Sequence, residues 1–374
     1  MAKYRLCDIA PIVQGSVPEA DQYWLLNLDM VESNTGRIID YLYCNEKDIG
    51  NSTVKFDTRN VLYSKLRPYL NKVVIPQKPG YATSEMLPLC PDQSIITREY
   101  LTYYLRSPGF VSFINEKTSG AKMPRANSAD LKSYLLDCPS INEQNSRTHQ
   151  LDSIVAIMEK RSFEIQKLDD LIKARFVEMF GDMKPTTTLA RYIEELRGGK
   201  SLAGTEVCQN KVLKTGAATF GWFDPEQYKY LPNDYEPLPE HKVETGDVII
   251  SRMNTPELVG ACSYVFKAPE NMYYPDRLWK VITKDRTNSI FLWQLLWDKE
   301  IRRQIKEKSG GTSGTMHNIS KPKLLGIKCI DAPYDLQKQY ADFVKQVDKS
   351  KSVVQKSLDE AQLLFDSLMQ KYFG

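Results

Sequence analysis

Nowhere does this sequence stay apolar for the roughly 20 residues that a bilayer-spanning helix needs, so no membrane span is expected. Behind the opening Met1-Ala2-Lys3-Tyr4-Arg5 stands no apolar core, and no signal peptide is expected either. The seven cysteines (Cys7, Cys44, Cys90, Cys138, Cys208, Cys262 and Cys329) are odd in number and scattered, with no C-x-x-C pair, and there are only 3 histidines. These shortages speak against a disulfide framework or a zinc site and predict reduced, partly buried thiols in a cytoplasmic protein. Charge of one sign is also lacking, since 50 Lys and Arg face 47 Asp and Glu for a net +3. The bulk charge does not announce a nucleic-acid partner, and any field that attracts one has to be local.

Signatures of catalysis are missing as well. Gly199-Lys200-Ser201 is a scrap of a phosphate loop whose first glycine is replaced by Glu194. No Asn-Pro-Pro-Tyr type methyltransferase motif and no glycine-rich cofactor loop after a strand occur. Asp276-Arg277-Leu278-Trp279-Lys280 has a carboxylate and a lysine but no second acid of a nuclease site, and reads as a strand. Ser64 and Ser251 lack a G-x-S-x-G setting. His149, His241 and His317 show no ligand or triad spacing; the first two are expected at the surface, while His317 sits in a polar loop. The expectation is a protein without catalytic residues, metal or cofactor.

Two local basic clusters are present. Lys55, Arg59, Lys65, Arg67, Lys72 and Lys78 face Asp57 alone, and Arg302, Arg303, Lys306, Lys308, Lys321, Lys323 and Lys328 face Glu307 alone. Either cluster by itself reads equally well as a solvated face. Their equivalent role in an internal repeat favours a function. Lys55 to Lys65 aligns with Lys242 to Arg252 at an offset of half the chain, each as a polar turn, an apolar strand, then Ser and a base. Leu26-Asn27-Leu28 matches Leu213-Lys214-Thr215 at the same offset, and Tyr100-Leu101 corresponds to Phe291-Leu292. Ile-x-Glu-Lys helix ends at Ile114 to Lys117 and Ile305 to Lys308 lead into Gly/Ser/Thr loops. Each loop is followed by a strand ending in proline, Leu131 to Pro139 and Leu325 to Pro333, and then by a long helix closing on Phe180-Gly181 or Phe373-Gly374.

Short β-branched or aromatic strands such as Val61-Leu62-Tyr63, Lys72-Val73-Val74-Ile75 and Val248-Ile249-Ile250 alternate with Gly and Pro turns. One amphipathic helix is expected near residues 97 to 117 and another near 288 to 308. The long segments have heptad-like apolar spacing. In the first it falls at Leu151, Ile154, Met158, Ile165, Leu168, Ile172 and Met179, with Arg161 and Arg175 as breaks. In the second it falls at Tyr340, Phe343, Val347, Val354, Ala361, Leu364 and Leu368, with Ser350 and Ser357 as breaks. The fold class is therefore α+β. Two mixed α/β domains, 1–142 and 183–335, alternate with two long helices, 143–182 and 336–374, which pair as an antiparallel coiled coil about a pseudo-twofold repeat.

This order of domain, helix, domain, helix resembles the specificity (S) subunits of type I restriction-modification systems over essentially the whole chain. The likeness rests on Tyr63-Ser-Lys-Leu-Arg-Pro-Tyr69, Gly246-Asp-Val-Ile-Ile-Ser-Arg252 and the proline-ended strands running into Gln144 and Gln339. It also rests on Leu171-Ile-Lys-Ala-Arg-Phe-Val-Glu-Met-Phe-Gly-Asp182. The resemblance implies two target recognition domains, each reading one half of a split double-stranded DNA target, with helices that set the gap. It also implies docking of two methyltransferase (modification) subunits that bind S-adenosylmethionine, and of restriction (translocase-nuclease) subunits. The alternative is a duplicated coiled-coil scaffold that binds other proteins.

By residue type, base edges are read by Arg, Lys, Asn, Gln, Ser and Thr, while phosphates are held by Lys, Arg and backbone amides. The loops combining these types place Lys122, Arg125, Asn127, Thr315, His317 and Asn318 against DNA, with Lys65, Arg67, Arg252 and Asn254 beside them. Ser-Arg-Met-Asn254 in the second copy replaces Ser-Lys-Leu-Arg67-Pro68 in the first, so the two domains should read different half-sites. Tyr69, Tyr274 and Trp279 read as buried strand aromatics in preference to stacking wedges.

Overall fold

The computed structural model describes residues 2–118, 120, 123–311 and 316–374. They fall into two compact units, Met1–Phe163 with Gln355–Gly374, and Glu164–Val354.

In the first unit a buried apolar strand, Val61–Ser64, lies between Val73–Val74 and Met86–Leu89, antiparallel to both. A second sheet runs in the order Leu42–Cys44, Tyr23–Leu26, Gly80–Thr83, Thr53–Phe56. Within it Tyr23–Leu26 and Gly80–Thr83 are parallel, with Leu25 opposite Tyr81. Ala2–Arg5 pairs antiparallel with Leu135–Cys138, the strand that leads into the first long helix.

The second unit repeats these pairings. Val248–Ser251 lies between Cys262–Tyr264 and Leu278–Thr283, and Ile193–Gly198 adds to the outer side of the latter. Lys211–Leu213 pairs antiparallel with Tyr228–Tyr230 and parallel with Met272–Tyr273. Pro185–Thr188 pairs with Lys328–Ile330, again just before a long helix. Every residue of Val61–Ser64 and of Val248–Ser251 is buried, which is why both read as unbroken apolar runs and not as alternating strands.

Where the sequence predicts a single helix near 97–117 and near 288–308, each stretch forms two: Arg98–Arg106 with Pro108–Glu116, and Ser289–Leu296 with Lys299–Lys308. The first break follows from Pro108, which holds Ser107 extended at φ −66, ψ 147 while the Ser107 hydroxyl caps the next helix at Phe110 N–H. The second is made by Asp298, whose carboxylate caps Glu300 and Ile301.

The long helices are Ile141–Phe180 and Tyr334–Phe373. Within the first unit their segments run antiparallel. The Tyr372 hydroxyl donates to Gln150 at 2.8 Å, and Leu151, Met369 and Phe373 enter one core with Tyr100, Leu101 and Leu105. Within the second unit the other segments do the same: the Tyr340 hydroxyl donates to the Ile172 carbonyl at 3.2 Å, and Lys351 meets Asp169 at 2.5 Å. The aromatic closures correspond, with Phe373 5.0 Å from Tyr100 and Phe180 5.0 Å from Phe291.

Three more expectations are corrected by the long helices and the turn before Val248. Leu364 is 51% exposed, because Phe365, Leu368 and Met369 take the inward positions of that turn. Gln339 is exposed, and the residue equivalent to Gln144 is Gln337, fully buried. The Gln144 side chain accepts from Thr97 N–H at 2.9 Å and donates to the Ile95 and Pro139 carbonyls. Gln337 accepts from Asn288 N–H at 3.0 Å and donates to the Ala332 carbonyl. His241 is buried and not at the surface, since its carbonyl receives Tyr274 N–H and folds the segment inward.

Candidate nucleic-acid interface

In both copies the buried strand ends on a serine whose hydroxyl turns the chain out of the sheet. Ser64 Oγ donates to the Leu66 carbonyl at 3.0 Å, and Ser251 Oγ to the Met253 carbonyl at 3.5 Å. The segment leaving each serine is stitched to a loop from much later in the domain.

In the first unit Lys65-Leu66-Arg67 lies against Pro124-Arg125-Ala126. Ala126 N–H donates to the Lys65 carbonyl at 2.8 Å and Arg67 N–H to the Pro124 carbonyl at 2.7 Å, with Leu66 and Arg125 forming a bridge. Arg67 is exposed and left-handed at φ 50, ψ 61, a conformation uncommon for a residue other than glycine. The turn carries Tyr69, which is 51% exposed, so Tyr69 is not a buried strand aromatic. Arg125 Nη2 reaches Glu85 at 3.1 Å and Lys65 Nζ lies 3.9 Å from the other Glu85 oxygen. One carboxylate thus holds two cations side by side. Asn127 is exposed, but its side-chain oxygen caps the helix Ser128–Ser133 at Ala129 N–H, 2.9 Å away.

In the second unit the stitching is a two-residue ladder, Met253–Asn254 against His317–Asn318. Arg252 N–H donates to the Arg277 carbonyl, and the Arg252 carbonyl accepts from Ile319 N–H. The Arg252 guanidinium lies 5.9 Å from the Trp279 ring. Asn254 donates to Ser251 Oγ at 3.3 Å and accepts from Thr255 N–H at 2.9 Å. His317 Nδ1 pairs with Ser309 Oγ at 3.1 Å. Asn318 exchanges both backbone hydrogen bonds with Gly310. Lys122 and Thr315 lie outside the described residues.

The structure therefore gathers Lys65, Arg67, Arg125 and Asn127 in one place and Arg252, Asn254, His317 and Asn318 in another. Several other members of the basic clusters are engaged internally. Arg59 holds Asp57, pulling its carboxyl down to about 2, and Lys72 donates to the Leu28 carbonyl. Arg303 bridges Glu300 and Glu307, and Lys306 meets Glu257. Glu85 is not legible in the sequence: it is one acid in a short turn, and only the fold carries it to Arg125.

The nuclease-like scrap comes apart in three dimensions. Asp276 accepts from the Ser201 hydroxyl. Lys280 is buried on the strand Leu278–Thr283, 2.6 Å from Glu244 and 3.1 Å from Asp247. Trp279 and Tyr274 are buried, as read from the sequence. Among the described residues no group of three or more His, Cys, Asp or Glu could hold a metal ion, and no helix is long and apolar enough to cross a membrane.

The chain has the fold of a type I restriction-modification specificity subunit. It matches the S subunit of M. genitalium with a TM-score of 0.57 at 16% identity, covering 100% of this chain and 96% of that one. A chain from a solved type I R-M system matches with a TM-score of 0.52 at 16% identity, covering 100% and 97%. In sequence, the chain is similar to the type I restriction enzyme EcoKI specificity subunit of Escherichia coli, 21% identical over 215 residues (52% of this chain, 46% of the relative). It is also similar to the EcoDI specificity subunit of Escherichia coli, 27% identical over 126 residues (34% and 28%). The chain spans less than half the length of these curated relatives. No protein-family model matches. The resemblance read from the sequence is borne out by these relatives.

Proposed function

We propose that this chain is the non-catalytic DNA-specificity subunit of a type I restriction-modification complex, acting in the cytoplasm. Its two globular domains each read one half of a bipartite double-stranded target. Two methyltransferase subunits and the restriction subunits dock on it and supply the chemistry. The observation that carries this reading is the duplicated junction, in which a strand-ending serine leads into a cation-bearing segment stitched to a second polar loop. Backbone ladders fix both junctions, so their side chains are presented with little conformational freedom to lose on binding.

The balanced net charge and the confined cations predict weak, salt-dependent binding by the chain alone. Fluorescence anisotropy of a labelled random-sequence duplex, titrated between 50 and 200 mM salt, should give a log affinity that falls steeply with log salt, the slope being about −0.9 per phosphate neutralised. Tight binding indifferent to salt, or no binding at 50 mM salt, would count against the proposal.

A further inference from the structure

Gly221, at φ +88, and Asn34, at φ +66, occupy the same place in the two repeats. Each is a left-handed residue in the turn that follows a central strand and a short 3-10 helix, Leu28–Met30 in the first domain and Thr215–Ala218 in the second. The backbone device is shared, and the side chains it displays are not. In the first domain the flanking residues are Ser33 and Thr35. In the second they are Phe220 and Trp222, 64% and 58% exposed, with rings stacked at 5.8 Å and an interplanar angle of 28°.

The turn is anchored. Thr219 Oγ1 donates to the Thr215 carbonyl, Asp224 N–H returns to the Ala217 carbonyl, and the α-carbon face of Gly221 lies against the Trp297 ring. Two large rings are therefore held out into solvent on a fixed support. Trp297 in turn carries the Arg302 guanidinium 5.2 Å from its ring, and Arg302 Nη2 donates to the Glu257 carbonyl. That contact joins the helix Lys299–Lys308 to the segment that begins with Arg252 and Asn254. The exposed rings thus share a support with a basic helix and with the second polar junction.

Exposed aromatic faces beside positive charge are the chemistry that holds an unstacked nucleobase over an anionic backbone. Among the described residues the first domain shows no stacked pair of exposed rings at the equivalent turn, and Tyr69, exposed in the turn that carries Arg67, stands as a single ring. The exposed rings Tyr41 and Tyr43 of that domain already surround the Lys78 ammonium, which lies 4.9 and 4.7 Å from them.

We propose that Phe220 and Trp222 form a nucleobase-stacking platform by which the second domain unstacks DNA at its half-site. This rests on the DNA-binding reading given above. The test uses the full chain. Trp24, Trp279 and Trp293 are buried and Trp297 half-buried, so Trp222 supplies the most exposed tryptophan emission. Single-stranded dT16, whose bases are already unstacked, should quench that emission, and high salt should restore it. Phe220→Ser with Trp222→Thr, which installs the residue types of the first domain, should weaken dT16 binding by about 5- to 150-fold by anisotropy. The thermal midpoint should be retained, since both side chains are exposed. Trp222→Phe should keep the binding and lose the quench. Binding of dT16 without quenching, or with unchanged affinity in the double variant, would overturn the platform while leaving the duplex test untouched. Failure of the duplex itself to bind would instead strike the DNA-specificity reading.

Discussion

Asp247 and Lys280 show how a buried charge is tolerated at one position of the repeat and avoided at the other. Asp247 closes the turn before its strand by accepting from Glu244 N–H at 2.8 Å, and it also receives the Tyr274 hydroxyl and Lys280. Asn60 does the same turn-closing work in the first domain, accepting from Asp57 N–H at 2.9 Å, with no cation required. Burial pushes the Asp247 carboxyl up, against the pull of Glu244 N–H, Lys280 and Tyr274. Lys280→Met would leave that carboxylate buried without its cation and should destabilise the second unit by about 3–5 kcal/mol at pH 7. Adding Asp247→Asn should recover most of the loss. A carboxyl whose folded pKa exceeds its unfolded one is bound more tightly by protons in the native state. The gap between Lys280→Met and wild type should therefore narrow as pH falls from 7 towards 4, as urea midpoints would record. A gap that widens towards acid would refute the assignment. None of this is legible in the sequence, where Lys280 follows Asp276 by four positions and the acids it meets lie far upstream.

At the scale of elements, the strands, the paired loops and the long helices follow from patterns that are local in sequence. The exact inward residues do not, because they depend on what the helix packs against. Leu364 satisfies a heptad and is nevertheless exposed, since the neighbouring Phe365 turns its ring to the core, 6.3 Å from Tyr103. Gln339 looks in sequence like the start of the last helix, yet Gln337 clamps the short helix through Asn288. This clamp ties each long helix to its own domain. Gln144→Leu or Gln337→Leu keeps the volume but strands buried backbone groups, each worth about 1–3 kcal/mol when unsatisfied. Both should lower the unfolding midpoint, whereas Gln339→Leu should stay within about 0.5 kcal/mol of wild type. Equal effects at 337 and 339 would remove the clamp from the account. The candidate site is legible in part for the same reason: its polar loops are conspicuous as sequence. That Glu85 gathers Lys65 and Arg125, and that Asn127 is a helix cap, emerges only from the fold.

At the scale of the molecule, duplication with divergence predicts separable reading. Arg125→Ala should relax specificity at one half-site, with loss of a bidentate contact worth about 1–3 kcal/mol, and leave the other half-site intact. Asn127→Ser, which keeps a capping oxygen, isolates the contribution of that side chain to recognition from its part in holding the helix. Methylome sequencing of cells carrying each variant with its partner subunits reads the outcome. Simultaneous change at both half-sites would mean that one domain does not read one half.

The first unit is built from Met1–Phe163 and Gln355–Gly374, and its core includes Met369 and Phe373. On the ribosome, the first segment of this unit emerges before the second unit and has to wait for Gln355–Gly374. At about 5–20 residues per second, the missing segment is complete about 10–40 s after Phe163 has been made. Throughout that interval Tyr100, Leu101 and Leu105 lack the cover of Met369 and Phe373, and the second unit, Glu164–Val354, has all of its own residues before that cover is made. Of the two units, the one whose synthesis starts earlier is thus the later to close, and until then its aromatic face is open to solvent.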